Sequence, residues 1–567
     1  MRKNSWLIAT ALVPFLIASA TASPANLDVK LKPHQSNGHV DYVDVSMTLE
    51  NPQAKPGSVL VHMPLVVASI PTQRYDGTAL SARDSKGPLD LSIKDDTPTP
   101  FLTYRNWQLS HATEGDVTIS YRAVPRAVDS NTRNGPLFDL REEAGGLNGA
   151  GFTFIAPPVV CQEPYNIHLK WDLSSMPAGS RGIWSLGEGD ASVVRPAELL
   201  ATSFYFAGPV KSYPEKSDSR FHMYWLNEPP FDAKDAAGMI SRLFDFTSHF
   251  FHDDKDDYRV FIRKNPYKYG GGTALARSFL FAYGNAKAPT AEDLKSLIGH
   301  EMVHNWPMLA GDHADTSWYT EGSAEYYSAL LAFRAGLFTP EEFLKNINKK
   351  ISDYYQNPVQ SLSNRDAEQI YWKDARAGHV PYGRGFFYLA NVNTKIREKS
   401  KGARSLDDIV VPLSDRSRNG EEIGVEDWLK AITAELGEGA RTEYVDMVAG
   451  KPLASLPNMF GPCFKSVAIS EYQQDLGFDV LAYMGKPRIV KGLVTSSEAA
   501  SAGLKDGDLV VEGKDVSEPS FHYDEPITIK VLRDGKELSF TFMPRGRTVT
   551  GYQWVRDKTV PDAQCKL

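Results

Sequence analysis

The sequence predicts a multidomain protein with an all-β N-terminal domain, a mainly α-helical middle domain and a small β-rich C-terminal domain. Two changes of pattern along the 567 residues support this division. Apolar and polar residues alternate at a period of two up to residue 211, and apolar residues then recur at helical spacing. Short strands separated by glycine turns return near residue 466. The predicted limits are 27–211, 213–455 and 466–545, with a tail at 546–567.

The first residues have the pattern of a cleaved export signal. Arg2 and Lys3 precede an apolar run from Trp6 to Ile17, which small residues follow up to position 22. This run is too short to span a bilayer comfortably, so residues 1–22 are predicted to be a signal peptide and not an anchor. We expect a secreted or periplasmic protein without a membrane anchor after cleavage.

The charge balance argues against nucleic acid as a partner. The formal net charge of the whole chain is −8, and loss of Arg2 and Lys3 with the signal makes it −10. An acidic surface repels nucleic acid and anionic membranes.

The three cysteines are too few and too dispersed for a disulfide scaffold or a cysteine metal site. In an oxidising compartment, Cys463 and Cys565 could pair and tie the tail to the start of the last domain, leaving Cys161 free. The sequence leaves all three pairings open.

The N-terminal domain shows no catalytic cluster. Val43, Val45 and Met47 alternate with polar residues, as expected for a half-buried strand. The aromatic residues of this domain are predicted to be core residues and not a ligand-binding box. Examples are Trp107, Tyr121 and Phe154.

The middle domain contains the stretch His300-Glu301-Met302-Val303-His304. Thr290 with Asp293 resembles a capping box, and apolar residues follow at helical spacing until Pro307, so this stretch is predicted to lie on a helix. Positions four apart share a helix face, so His300 and His304 can both bind one metal ion. Glu301 then lies beside the open coordination position.

Glu321 is predicted to be the third ligand. Its segment, from Ser317 to Arg334, is predicted to form a second helix that ends before Gly336. Glu325 shares the face of Glu321 and is expected to accept the far ring N–H of one histidine. The alternative is a pair of core histidines and a solvated glutamate, but the motif with a glutamate on a following helix favours one Zn2+ ion per chain.

A glycine-rich stretch lies upstream of the metal-binding motif, between a strand at Tyr258–Arg263 and an apolar run at Leu275–Tyr283. Its residues Gly271, Gly272, Thr273 and Ala274 are predicted to bind substrate, because a strand beside a zinc helix can pair with an extended peptide. The alternative is a plain hairpin turn in which the glycines supply positive φ.

Tyr382, in Pro381-Tyr382-Gly383-Arg384-Gly385, is the candidate oxyanion donor. A tyrosine hydroxyl can donate a hydrogen bond to the oxyanion that forms when water attacks a carbonyl. His379 is the alternative for this role.

The C-terminal unit resembles a PDZ domain. Its loop Asp475-Leu476-Gly477-Phe478 and a hairpin turning at Asp534-Gly535 carry the resemblance. The resemblance implies that the backbone N–H groups of Leu476, Gly477 and Phe478 bind a peptide C-terminal carboxylate, while the adjoining strand edge pairs with the peptide. The alternative is a packing module that binds nothing.

The whole arrangement resembles the glycyl aminopeptidase family of gluzincin zinc metallopeptidases. The motifs that carry the resemblance are His300-Glu301-x-x-His304-x-Trp306, Trp318-x-x-Glu321-Gly322-x-x-x-Tyr326-Tyr327, Tyr382-x-Arg384-Gly385 and Ser405-Leu406-Asp407-Asp408. The resemblance implies a thermolysin-like catalytic domain with three zinc ligands, His300, His304 and Glu321. It also implies that Glu301 is the general base and Tyr382 the oxyanion donor.

Two departures from that family concern specificity. Family members have Gly-Gly-Leu-Glu-His in the substrate strand, whereas the stretch from Gly271 to Leu275 has no carboxylate. A buried ammonium needs a compensating anion, so amine recognition is expected to come from elsewhere or to be weak. The segment between Trp306 and Trp318 also lacks the basic sequence of the family.

The expected function is zinc-dependent hydrolysis of peptide bonds, as an aminopeptidase acting on small N-terminal residues. The PDZ unit would recognise substrates or partners. One alternative is a zinc endopeptidase or tail-directed protease. Another is a catalytically weak, PDZ-based peptide-binding protein.

Overall fold

The computed structural model describes residues 24–567 apart from short gaps, which are 68–69, 99–101, 131, 133–137, 161–163, 216–218, 267–269, 286–287, 372–373, 485–486, 515, 517–522 and 566. The predicted signal peptide and Cys161 lie outside the described residues. The chain forms two compact units. We call the described residues 24–244 together with Asp254–Ile298 the β unit, and Asp245–Asp253 with Gly299–Leu567 the helical unit. The predicted domain limits stay predictions.

The β unit consists mainly of strands, and two of its helices continue into the helical unit. Its elements are, in chain order, β1 (Asn26–Ser36), β2 (His39–Leu49), β3 (Val59–Val67), β4 (Ile70–Pro71), β5 (Leu80–Asp84), β6 (Gly87–Leu89), β7 (Leu91–Asp95), β8 (Leu102–Leu109), β9 (Val117–Ala123), β10 (Arg141–Glu143), β11 (Gly146–Ala150), β12 (Tyr165–Trp171), β13 (Arg181–Trp184), β14 (Gly187–Glu188), β15 (Ala191–Arg195), α1 (Glu198–Ala201), β16 (Phe204–Gly208), β17 (Lys211–Tyr213), β18 (Phe221–Trp225), α2 (Ala233–Phe250), β19 (Tyr258–Lys264), β20 (Gly271–Leu275), β21 (Ser278–Tyr283) and α3 (Ala291–Val303).

Three sheets form the N-terminal part of the β unit, which confirms its all-β prediction. Their strand orders are β15-β12-β1-β2-β9-β5-β6, β4-β3-β8-β7 and β10-β11-β16-β13-β14. Strand β2 buries Val43, Val45 and Met47 on one face, as the alternation predicts. Trp107, Tyr121 and Phe154 lie in the hydrophobic core of these sheets, so they are core residues as expected.

A fourth sheet of the β unit has the order β17-β18-β19-β21-β20. The alternative of a plain hairpin turn at the glycines is wrong, because Gly271–Leu275 forms the edge strand β20 and the turn falls at Ala276 and Arg277. Neither Gly271 nor Gly272 has positive φ. Gly272 is required for packing instead, since a Cβ there would overlap the Phe279 ring.

The helical unit contains the remaining elements. They are, in chain order, α4 (His313–Arg334), α5 (Pro340–Gln356), α6 (Asn364–Ile370), α7 (Ala375–Gly378), α8 (Val380–Lys399), α9 (Asp407–Arg418), α10 (Val425–Leu436), α11 (Gly439–Val448), β22 (Phe464–Gln474), α12 (Val480–Met484), α13 (Glu498–Ser501), β23 (Leu509–Glu512), β24 (Ile527–Arg533), β25 (Lys536–Phe542) and β26 (Arg545–Arg556). Among the described residues, no helix has the length and apolar character needed to cross a bilayer.

Helix α3 starts as predicted but ends one residue before His304. Thr290 and Asp293 form the reciprocal capping hydrogen bonds at its start. At the other end, the N–H groups of Asn305 and Trp306 bond three residues back, so His304 lies in a tightened turn and not in the helix proper. The histidine spacing is kept, because such a turn continues the helical path.

Helix α4 begins at His313, four residues before the predicted start at Ser317. The extended backbone of Asp312 places its carbonyl to accept from the N–H groups of Asp315 and Thr316. Its end agrees with the prediction, since Gly336 follows with φ of +69°.

The C-terminal part of the helical unit contains a two-stranded ribbon, β22 paired with β26, and a three-stranded sheet, β23-β24-β25. The predicted hairpin at Asp534-Gly535 is confirmed, with both residues at positive φ. Strand β22 ends directly before the carboxylate loop. Helix α12 follows that loop because Asp479 accepts hydrogen bonds from Ala482 and Tyr483 and so caps a helical turn.

A disulfide joins Cys463 to Cys565, with 5.3 Å between their Cα atoms. This pairing agrees with the first of the pairings considered from the sequence. It ties the end of the chain to the residue preceding β22, as expected.

Candidate metal centre

Three side chains of the helical unit converge on one point. His300 Nε2 and His304 Nε2 are 3.2 Å apart. The Glu321 Oε2 atom lies 3.3 Å from the first and 3.7 Å from the second. The predicted ligand atoms are therefore brought together, on α3, on the turn after it and on α4.

This group fits a zinc ion. Protein ligands at about 2.0–2.2 Å from a tetrahedral zinc ion lie roughly 3.3–3.6 Å from one another. The three observed separations fall close to that range. The buried Glu321 Oε2 atom has no hydrogen-bond partner among the described residues, as expected of an atom that bonds a metal.

The ionisation states also suit metal binding. Burial lowers the pKa of His304 to about 4, so its ring is neutral and offers a lone pair. Burial opposes ionisation of Glu321, but the proximity of the His300 and His304 rings lowers the pKa of its carboxyl to about 2. Glu321 is therefore a carboxylate at neutral pH.

Glu301 lies beside this group and does not take part in it. Burial is the main reason that the pKa of Glu301 is raised to about 7, and the nearby Glu321 charge adds to the effect. A carboxyl group with a pKa near neutrality can both accept and return a proton.

Two glycines bring Tyr382 to the metal ligands. A Cβ on Gly322 of α4 would overlap the backbone of Gly385 on α8, and a Cβ on Gly385 would overlap the Trp318 carbonyl. Only glycine at both positions permits this helix approach. Each glycine lies close in sequence to a site residue, Glu321 or Tyr382, so the approach sets their separation.

Trp318 holds helix α4 in this position. Its ring is fully buried and makes edge-to-face contacts with Tyr388, Trp428 and Tyr444, with centroids 5.2–5.7 Å apart. One turn further along α4, Glu321 reaches the metal-binding group.

Tyr382 stacks on His300, with ring centroids 5.7 Å apart and planes 8° from parallel. Its hydroxyl is within hydrogen-bonding reach of the Glu321 carboxylate and of the Tyr371 hydroxyl. Burial and the Glu321 charge raise the pKa of Tyr382 well above its usual value, so its hydroxyl remains a donor. His379, the alternative, is exposed and contacts Tyr382 edge-on.

Glu325 lies one turn after Glu321, and its Oε1 atom is 3.0 Å from His300 Nδ1. This is the contact that the helical spacing predicts. Sequence reasoning missed Tyr371 and Lys350, which pairs with Glu325. No sequence pattern could have found them, because each reaches the site through the packing of a separate segment.

The remaining predicted site residues belong to other elements. Gly271, Gly272, Thr273 and Ala274 belong to strand β20 of the β unit, whereas the metal-binding group belongs to the helical unit. In the carboxylate loop, Gly477 has φ of +82° and lies between the buried side chains of Leu476 and Phe478. The Gly477 N–H donates to the Asp475 carboxylate.

Comparisons with known proteins agree with this geometry. Residues 293–379 match the model of the M61 glycyl aminopeptidase family. No curated protein matches the chain. A solved structure of an aminopeptidase N family protein from Idiomarina loihiensis is similar at 13% identity and a TM-score of 0.66, over 95% of this chain and 99% of that chain. An M1 zinc metallopeptidase from Deinococcus radiodurans is 17% identical with a TM-score of 0.45, over 77% of this chain and 96% of that chain.

The family match covers α3, His304 and Glu321, and the first structural similarity establishes the fold. The resemblance to the glycyl aminopeptidase family is thereby confirmed. The protein is an aminopeptidase-like zinc metallopeptidase, and its cofactor is Zn2+.

Proposed function

We propose that this zinc metallopeptidase removes small residues from the N-termini of peptides, with His300, His304 and Glu321 as the zinc ligands. The observation that carries the proposal is the convergence of these three ligand atoms, with the basic Glu301 and the donor Tyr382 beside them. When bound, the zinc ion supplies an activated water and polarises the substrate carbonyl.

The residues of the chain perform the remaining tasks. Glu301 accepts a proton from the attacking water and returns it to the leaving amine nitrogen. Tyr382 donates a hydrogen bond to the oxyanion, for which its protonated, buried hydroxyl is suited. Glu325 keeps the His300 ring in the orientation that leaves Nε2 free for the metal.

Replacing Tyr382 with Phe is expected to lower kcat by about 10²–10³-fold, since one oxyanion donor is lost. KM and zinc content should stay close to those of the wild type, because the stacking on His300 is retained. Steady-state kinetics on an alanine p-nitroanilide, with zinc measured on the same sample, provides the check. A wild-type kcat would remove Tyr382 from the mechanism.

Recognition of the substrate ammonium separates an aminopeptidase from an endopeptidase. Acetylating the N-terminus of a short peptide should lower kcat/KM by about 10–100-fold, the loss expected for one hydrogen bond to a charged group. The measurement compares free and N-acetylated forms of the same glycyl and alanyl peptides. Equal rates for the two forms would favour the endopeptidase alternative.

A second part of the proposal concerns residues 466–545, which would recognise a peptide or partner as a PDZ domain does. The loop around Gly477 supports this role through its left-handed backbone between two buried apolar residues. The adjoining strand edge would pair with the peptide, as the resemblance implies. Binding of labelled C-terminal decapeptides, as free acids and as amides, tests this role. If neither form binds, the unit is a packing module.

Export is also part of the proposal. The disulfide between Cys463 and Cys565 favours an oxidising compartment. Expression of the full chain in a secreting bacterial host should yield a periplasmic or secreted protein whose mass fits cleavage near residue 22. Retention of the uncleaved chain in the cytoplasm would contradict export.

A further inference from the structure

Glu325 has two different partners, one at each carboxylate oxygen. Its Oε1 atom lies 3.0 Å from His300 Nδ1. Its Oε2 atom forms an ion pair with the ammonium of Lys350. The side chains of Glu325 and Lys350 are only 17% and 15% exposed, so this pair is largely screened from solvent.

Lys350 reaches Glu325 from helix α5, whose position is fixed independently. Asn348 exchanges two hydrogen bonds with the backbone of Trp554 on strand β26, at 2.8 and 2.9 Å. Lys350 lies two residues further along α5 and therefore about 160° around the helix from Asn348. One face of α5 is therefore bonded to the β22–β26 ribbon, and the opposite face carries Lys350.

Protein stability alone does not account for a largely buried ion pair between Glu325 and Lys350. A buried pair is often no more stable than apolar residues of similar volume, because both charges lose their hydration. The neighbours of Lys350 on α5 include the fully buried Ile347 and Ile351.

The pair does have a consequence for the metal ligand. Glu325 Oε1 lies 3.0 Å from His300 Nδ1, and this contact holds the ring so that its Nε2 atom, 3.3 Å from Glu321 Oε2, faces the other two ligands. Lys350 holds the second oxygen of the same carboxylate. Without Lys350, the Glu325 carboxylate is free to rotate away from His300, and the ring loses the group that orients it.

We propose that Lys350 is a positioning residue of the zinc centre, acting through Glu325 to fix the orientation of His300. The inference rests on the proposed ligand role of His300. It does not depend on the substrate, since zinc affinity can be measured without one.

The test measures the zinc dissociation constant of the full-length protein by competition with a chromophoric chelator. Lys350→Met should bind zinc about 10–100-fold more weakly, as expected for loss of a group that supports a metal-bound histidine. Lys350→Arg, which keeps the charge, should restore most of the affinity. Lys349→Met is the matched control, because Lys349 is exposed on the same helix and pairs with Asp353.

A double-variant cycle separates positioning from a general packing effect. If Lys350 acts through Glu325, then Lys350→Met in a Glu325→Gln background should weaken zinc binding no further than Glu325→Gln alone. The visible spectrum of the Co2+-substituted protein should change with Lys350→Met and not with Lys349→Met. If Lys350→Met does not fold, Lys350→Gln replaces it in the same comparison.

Two results would overturn the inference. One is a folded charge-removing variant at Lys350 with wild-type zinc affinity. The other is an equal loss of affinity in the Glu325→Gln background, which would show that Lys350 acts by another route. Neither result bears on peptide hydrolysis, so failure of this inference and failure of the aminopeptidase proposal remain distinguishable.

Discussion

Replacing Glu301 with Gln is expected to lower kcat by about 10²–10⁴-fold, the contribution typical of a positioned general base. The amide keeps the size of the carboxyl group but cannot accept the proton of the attacking water. Glu301 lies outside the converging ligand group, so the variant should still bind one zinc ion. The measurement is kcat on an amino-acid p-nitroanilide, together with the zinc content of the same preparation.

Glu301→Asp is the matched variant, since it keeps the charge and withdraws the carboxylate by one methylene. It should retain more activity than Glu301→Gln if proton transfer is the role of this residue. A zinc-loaded Glu301→Gln protein with wild-type kcat would remove the base assignment. Loss of zinc from that variant would instead place Glu301 among the ligands.

Replacing Glu321 with Ala is expected to remove both zinc and activity. The carboxylate supplies one of three protein ligands, and its loss leaves two imidazoles that cannot hold the ion. Removing a residue that only supports a ligand lowers metal affinity by about 10–100-fold, so removing a ligand itself should lower the affinity further. Zinc stoichiometry after dialysis, followed by an activity assay with added zinc, provides the measurement.

Glu341→Ala is a suitable control, because Glu341 lies in the exposed first turn of α5. It should bind zinc and hydrolyse substrate as the wild type does. A Glu321→Ala protein that retains one zinc ion after dialysis would show that another group is the third ligand.

Helix spacing and helix-capping signals predict the metal-binding group well. His300 and His304 lie one helical turn apart, as do Glu321 and Glu325, so their shared faces follow from helix geometry alone. The capping box at Thr290 and the glycine after α4 are equally local signals, and both are confirmed.

The errors arose where distant residues decide the local structure. A glycine-rich stretch is also typical of a turn, but Gly272 lies in a strand, and the Phe279 ring occupies the space that its side chain would need. Helix α12 forms because Asp479 caps a helical turn, which the loop resemblance does not reveal. Lys350 was not found at all, since its contact with Glu325 depends on the packing of two helices.

The structure explains why two of the sequence motifs contain glycine. Gly322 and Gly385 were recognised as motif residues beside Glu321 and Tyr382. The structure shows that they lie against each other where α4 and α8 meet. Their spacing in sequence carries no sign of that contact, because it joins residues more than sixty positions apart.

Anomalous diffraction at the zinc absorption edge, from crystals of the purified protein, tests the central claim most directly. We predict a single strong peak within about 2.0–2.2 Å of His300 Nε2, His304 Nε2 and Glu321 Oε2. A peak at another group of side chains, or no peak in a protein that hydrolyses peptides, would contradict the account.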